Sequence, residues 1–246
     1  MNLLLATEET IAPGLGFAPF GACHLLWLAA FLIFTVTCSV LYRELAPNGR
    51  RKMRLILAAA VVADELLKMA VLLIGGNYMA RYLPLHLCSV NIFLIAWHAL
   101  RPNKTLDNFL YTVCMPGALF PLLTPTWHTL PPTNLMHIHS FTVHILLAAY
   151  PIILLAGRDI RPDPRQLPKC LGLLGSLALV AYGANRLFDT NFMFLMEAPA
   201  GTPLAWFEQV CGNHLVGFPV IIAALLLVMY FPALVHLLKK TAPAAR

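Results

Sequence analysis

The sequence predicts an all-α polytopic membrane protein, a seven-transmembrane-helix bundle with its N-terminus outside and its C-terminus cytoplasmic. Apolar runs of about twenty residues recur along all 246 residues, which is the length a helix needs to cross the hydrocarbon layer. Charged residues make up 11% of the chain, where soluble domains carry roughly 25%. Lys and Arg gather in alternate connections between the runs. A soluble enzyme, a disordered chain and a disulfide-stapled secreted module are excluded by the same pattern.

Seven spans are expected near 21–42, 53–75, 83–100, 107–125, 137–157, 169–190 and 213–238, as a single domain. The connections are short, except for residues 191–212, which carry Pro199, Gly201 and Pro203. Fourteen of the seventeen basic residues lie in four segments: Arg43 to Arg54, Arg101 and Lys104, Arg158 to Lys169, and Lys239 to Arg246. In a seven-helix chain these are the cytoplasmic connections. The opposite loops hold only Arg81, and the leading tail carries Glu8 and Glu9. Leu3 to Ala6 is too short an apolar stretch for a signal peptide, so the expected location is a multi-pass cell (inner) membrane.

The net charge of +6 is spread over loop ends and forms no single-face patch, so nucleic acid is not an expected partner; membrane lipids are. The cysteines at 23, 38, 88, 114, 170 and 211 stand singly, which disfavours a zinc ribbon or redox dithiol. A disulfide between Cys88 and Cys211 stays open.

Ionisable groups inside spans are costly and mark ion pairs or a polar cavity. In the second span, Asp64 and Lys68 are spaced i,i+4 with the acid first, and so are expected to pair on one face beside Glu65. The third span opens Leu83-Pro84-Leu85-His86-Leu87-Cys88-Ser89-Val90-Asn91, with Pro84 expected in its first turn. Pro84, Cys88 and Asn91 then share a face, and His86 points roughly 200° from Cys88. In the fifth span His137, Ser140 and His144 share a face. His137 and His139 are expected as water-facing interfacial rings, and His144, about 10 Å deeper, as a functional group. The sixth span ends with Arg186 and Asp189 at i,i+3 spacing, followed by Asn191; the seventh opens on Asn213 and His214.

Given the alternating directions of the helices, Lys68, Cys88, His144, Arg186 and His214 fall at similar depth in the outer half. His98 and His236 lie near the opposite edge. One polar cavity explains this grouping better than separate accidents. A thiol and an imidazole at matched depth are the minimum for covalent acyl transfer: the imidazole takes the thiol proton and the thiolate attacks a carbonyl. Asn91, Lys68, Arg186, His86, His137, Asp189 and Asn191 are the candidate substrate-binding residues. A metal site built from His137, His144, His86 and Cys88 would use the same parts, although no metal or other cofactor is expected. A transporter or sensor holding a small polar ligand through Asp64, Glu65, Lys68 and Arg186, and a scaffold whose polar groups only lock helices together, are the competing classes.

The segment Leu83 to Ser89, together with Phe141-Thr142-Val143-His144 and Asp189-Thr190-Asn191-Phe192-Met193-Phe194-Leu195, resembles the bacterial YwaF-like integral membrane proteins. These are related to the animal transmembrane protein 164, an acyltransferase that builds phospholipids through a cysteine. The resemblance implies lipid acyl transfer or acyl hydrolysis through a thioester, with Cys88 as the nucleophile and His144 as its partner.

Overall fold

The computed structural model describes residues 3–241, with side chains described through Phe231. The side chains of His236, Lys239 and Lys240, and all of Arg246, lie outside the described residues. The described elements are all helical: α1 (Ala22–Glu44), α2 (Pro47–Ile74), α3 (Leu87–Leu100), α4 (Lys104–Phe109), α5 (Met115–Leu123), α6 (Leu135–Ala156), α7 (Leu167–Phe188), α8 (Pro203–Cys211) and α9 (Gly217–Thr241). Among the described residues, six helical stretches are long and apolar enough to cross a membrane. α2 is longer, at 28 residues, but carries Arg50, Arg51, Lys52, Arg54, Asp64, Glu65 and Lys68. Leu26, Ile33, Val36 and Val40 of α1 are exposed, as are Leu179 and Val180 of α7. Such surface suits lipid rather than water.

The chain falls into two compact units, residues 1–161 and 162–246. In the first, α6 is the central helix, buried along most of its length, and it packs against α1, α2 and α5. Its Ala148 and Ala149 are fully buried and small, which lets neighbouring helices come close. Asn134 caps it by accepting from the N–H groups of Met136 and His137. The Asn134 amide also donates to Leu3 O at 2.7 Å and Ala6 O at 2.9 Å, which ties the leading segment to the start of α6.

Two spans depart from the expected pattern. The third begins at Leu87, not at Leu83: residues 80–82 make one tight turn, and Pro84 holds Leu83 at φ −54°, ψ 144°, outside the helical region. His86 is extended at φ −66°, ψ 151° and precedes the first helical residue. The fourth span is interrupted by a wide π-helical turn at Leu110–Cys114, directly before Pro116, whose missing N–H removes one rung of the α-helical ladder.

In the second unit, Asn185 knots the end of α7. Its amide donates to Phe192 O at 3.0 Å, and its oxygen accepts from Thr190 Oγ1 at 3.0 Å and Phe192 N at 2.7 Å. α8, which the sequence pattern left inside a loop, is capped by Thr202, with Pro203 in its first turn.

Candidate functional site

A cavity of about 300 Å³ opens in the first unit among α2, the start of α3, the first half of α6, the segment around Trp127 and the leading residues Thr7, Glu8 and Glu9. Cys88, His86, His144 and Lys68, four of the residues singled out by sequence, line it together, joined by Glu65, Ser89, Ser140 and His139.

Local breakage of the chain makes this space. Because α3 starts at Leu87, Cys88 sits in its first turn, where unpaired backbone N–H groups and the helix dipole favour negative charge. The extended backbone of His86 also overturns the expectation that it points away from Cys88. That angle assumed a helix through residue 86, and both side chains in fact face one cavity.

His144 is placed by its own helix. Its Nδ1–H donates to the Ser140 carbonyl at 2.6 Å, and its ring lies flat against Trp127, with centroids 5.2 Å apart and planes 13° apart. With the proton held on Nδ1, the Nε2 lone pair is the one left to act as a base. The backbone bond fixes the tautomer and the indole fixes the ring plane.

The charges on α2 pair differently from the expected i,i+4 arrangement. Lys68 ion-pairs with Glu65, both buried, rather than with Asp64. Asp64 turns to α6 instead, accepting from Thr142 Oγ1 at 2.8 Å and lying with its other oxygen 2.9 Å from His139 Nδ1. A partner on the neighbouring helix outcompetes the partner one turn away because both Asp64 oxygens find groups there.

His137 and His139 are buried, not water-facing. His137 donates from Nδ1 to Leu130 O at 3.2 Å and accepts at Nε2 from Trp27 Nε1 at 3.1 Å, so it joins α6 to α1 and does not line the cavity. The four-ligand metal alternative is therefore not assembled; among the described residues no group of three His, Cys, Asp or Glu is placed to hold a metal ion. Asn91 is buried on α3 but does not line the cavity, and its Oδ1 has no hydrogen-bond partner.

Arg186, Asp189 and Asn191 belong to the second unit and are not among the cavity residues. Arg186 and Asp189 are exposed, and Asp189 is in the left-handed region at φ 52°, ending α7. Asn191 staples its own loop, accepting from Met196 N at 3.0 Å and donating to Glu197 O at 2.9 Å. Cys88 and Cys211 are both free thiols, so the open disulfide is not formed.

Sequence reasoning missed Trp127, His139 and the leading segment as parts of the site. Asn134 and Asn77 hold that segment through Leu3, Ala6 and Leu5 carbonyls, and Arg81 pairs with Glu9 at the rim. No local pattern announces such long-range contacts, although the acids of an otherwise uncharged tail were a partial signal.

Neither the curated proteins nor the solved structures include a match to this chain. A family model does match, over residues 19–230, which takes in every helix that lines the cavity. The chain belongs to the TMEM164 family of membrane proteins.

Proposed function

We propose that the protein is a membrane-embedded acyltransferase or acyl hydrolase acting on lipid acyl groups, with Cys88 as nucleophile and His144 as general base. The observation that carries this reading is that a first-turn thiol and an imidazole with its proton fixed on Nδ1 line the same cavity. His144 Nε2 takes the thiol proton, the sulfur attacks the donor carbonyl, and a thioester forms. Lys68, held at the wall by Glu65, supplies positive charge for a phosphate or a developing oxyanion. The membrane arrangement belongs to the same proposal: α2 crosses as a seventh span in a single bundle within the cell membrane, the leading segment lies outside, and the basic loops lie in the cytoplasm.

The test is to reconstitute the full chain in phosphatidylcholine vesicles with labelled acyl chains and to assay for a hydroxylamine-labile adduct. Wild type should form it and Cys88→Ala should not; an undiminished adduct in the variant overturns the reading.

The sheltered ionisable groups Asp64, Glu65, Lys68 and His139 favour one alternative, a carrier or sensor for a small polar ligand. In that case Cys88→Ala is silent, whereas Lys68→Gln abolishes uptake or binding.

A further inference from the structure

Besides His86 at the head of α3, two imidazoles of α6 line the cavity, and acyl transfer to an alcohol has two proton transfers to catalyse. His144 stands on the Trp127 side and is oriented by a backbone carbonyl. His139 faces α2, with Asp64 Oδ2 2.9 Å from its Nδ1 and Glu65 Oε2 3.9 Å from its Nε2. His139 is only 7% exposed, yet neither its Nδ1 nor Asp64 Oδ2 completes an aligned hydrogen bond, despite their closeness. Two buried polar atoms facing each other in that state call for an explanation. A catalytic pair that tightens only when substrate arrives supplies one.

The chemistry of the two half-reactions matches the two environments. Of the two groups to be deprotonated the thiol is the stronger acid, and its base is held only by a backbone carbonyl. An alcohol is a far weaker acid, close to water, and needs a base whose protonated form is well stabilised. Two carboxylates lie beside His139, at 2.9 and 3.9 Å, and face the positive charge its ring carries on accepting a proton. Lys68 tempers this through Glu65 without removing Asp64 from the pair.

We propose that His139, positioned by Asp64, is the second general base of this site and activates the hydroxyl of an alcohol acceptor for attack on the Cys88 thioester. This rests on the acyl-transfer reading and decides between its two branches in favour of transfer to a lipid alcohol. In the first half-reaction the Cys88 proton passes to His144 Nε2, a carbon–sulfur bond forms, the donor ester C–O bond breaks, and the departing alkoxide takes that proton. In the second, the acceptor O–H proton passes to His139 Nε2, its oxygen bonds to the acyl carbon, the carbon–sulfur bond breaks, and the proton returns to the Cys88 thiolate.

The half-reactions can be measured separately with the full chain in labelled phosphatidylcholine vesicles: adduct formation without acceptor, then release by added lysophosphatidylcholine or by trifluoroethanol, a more acidic alcohol. His139→Gln should form the adduct within ~3-fold of wild type but transfer it to lysophosphatidylcholine ~10²-fold more slowly or worse. With trifluoroethanol, which needs less help to ionise, the defect should shrink to ~10-fold or less. Asp64→Asn, which still accepts from Thr142, should show the same split at smaller size, and it carries the test if His139→Gln does not fold. Equal slowing of both half-reactions, normal transfer, or the same defect with both alcohols overturns the inference while leaving Cys88 chemistry intact. Absence of any adduct in wild type overturns the acyl-transfer reading itself, and this inference with it.

Discussion

The two ends of α6 carry polar groups of similar kinds in opposite states. At its C-terminal end Asp159 accepts from Tyr42 Oη at 2.6 Å, Arg50 at 2.8 Å and Arg54 at 2.9 Å. Nearby, His98 joins Asp107 at 2.8 Å and Tyr150 at 2.9 Å. A hollow lies there too, but no thiol lines it and both of its carboxylates are engaged. At the N-terminal end the cavity is lined by a thiol and three imidazoles, and one of these, His139, has the Asp64 carboxylate close to it but unaligned. A network whose carboxylates are engaged holds helices together even where one donor, Arg54 Nε, is left without a partner, whereas an unaligned pair beside open space leaves capacity for a ligand.

Substitutions at the two ends should therefore fail in different ways. The largest effect belongs to Cys88→Ala, which should lower turnover about 10⁴-fold or more while the melting temperature in detergent stays close to wild type. Full turnover with a lowered melting temperature would make Cys88 a packing residue and erase the contrast. Asp159→Asn should do the converse. It removes the charge shared by two guanidinium groups that are partly exposed, and should cost about 2 kcal/mol of stability, discounted for solvent screening, with the activity of the folded fraction unchanged. A turnover defect with unaltered unfolding would place this end in the chemistry. Lys68→Gln comes third: losing a positive charge that positions substrate should raise KM about 10-fold with a smaller change in kcat. A loss confined to kcat would make Lys68 an oxyanion stabiliser instead.

Much of the helix framework was legible because membrane crossing imposes length and composition on each segment separately. The observed α1, α6 and α7 fall within a few residues of the expected spans. The grouping of Cys88, His144 and Lys68 around one cavity was legible too, since a helix converts residue number into distance. What escaped were the places where regular geometry stops. Pro84 delays α3 by several residues and brings His86 to the cavity, a result no 100° periodicity contains. The direction of the Asp64 carboxylate depends on Thr142 and His139, about 75 positions away, so local i,i+4 spacing selected the wrong partner. Arg186 shows the same limit from the other side, since matched depth says nothing about which unit a residue joins.

The smallest effect concerns the rim, where Arg81 pairs with Glu9 while both remain substantially exposed, at 52% and 41% of their side-chain surface. Solvent weakens such a pair, so Arg81→Gln should cost less than about 1 kcal/mol, and raising salt to 1 M should remove most of the difference. The leading segment does not depend on that ion pair alone, because Asn134 and Asn77 hold its carbonyls from buried or sheltered positions. Asn134→Ala should therefore release the segment where Arg81→Gln does not. Its loss removes two bonds to the segment and the cap of α6 together, and amide hydrogen exchange of residues 3–10 should rise strongly in that variant alone. If Arg81→Gln exposes residues 3–10 as fully as Asn134→Ala does, the rim pair is the true fastening, and the cavity end is held by surface charge rather than by the buried amide.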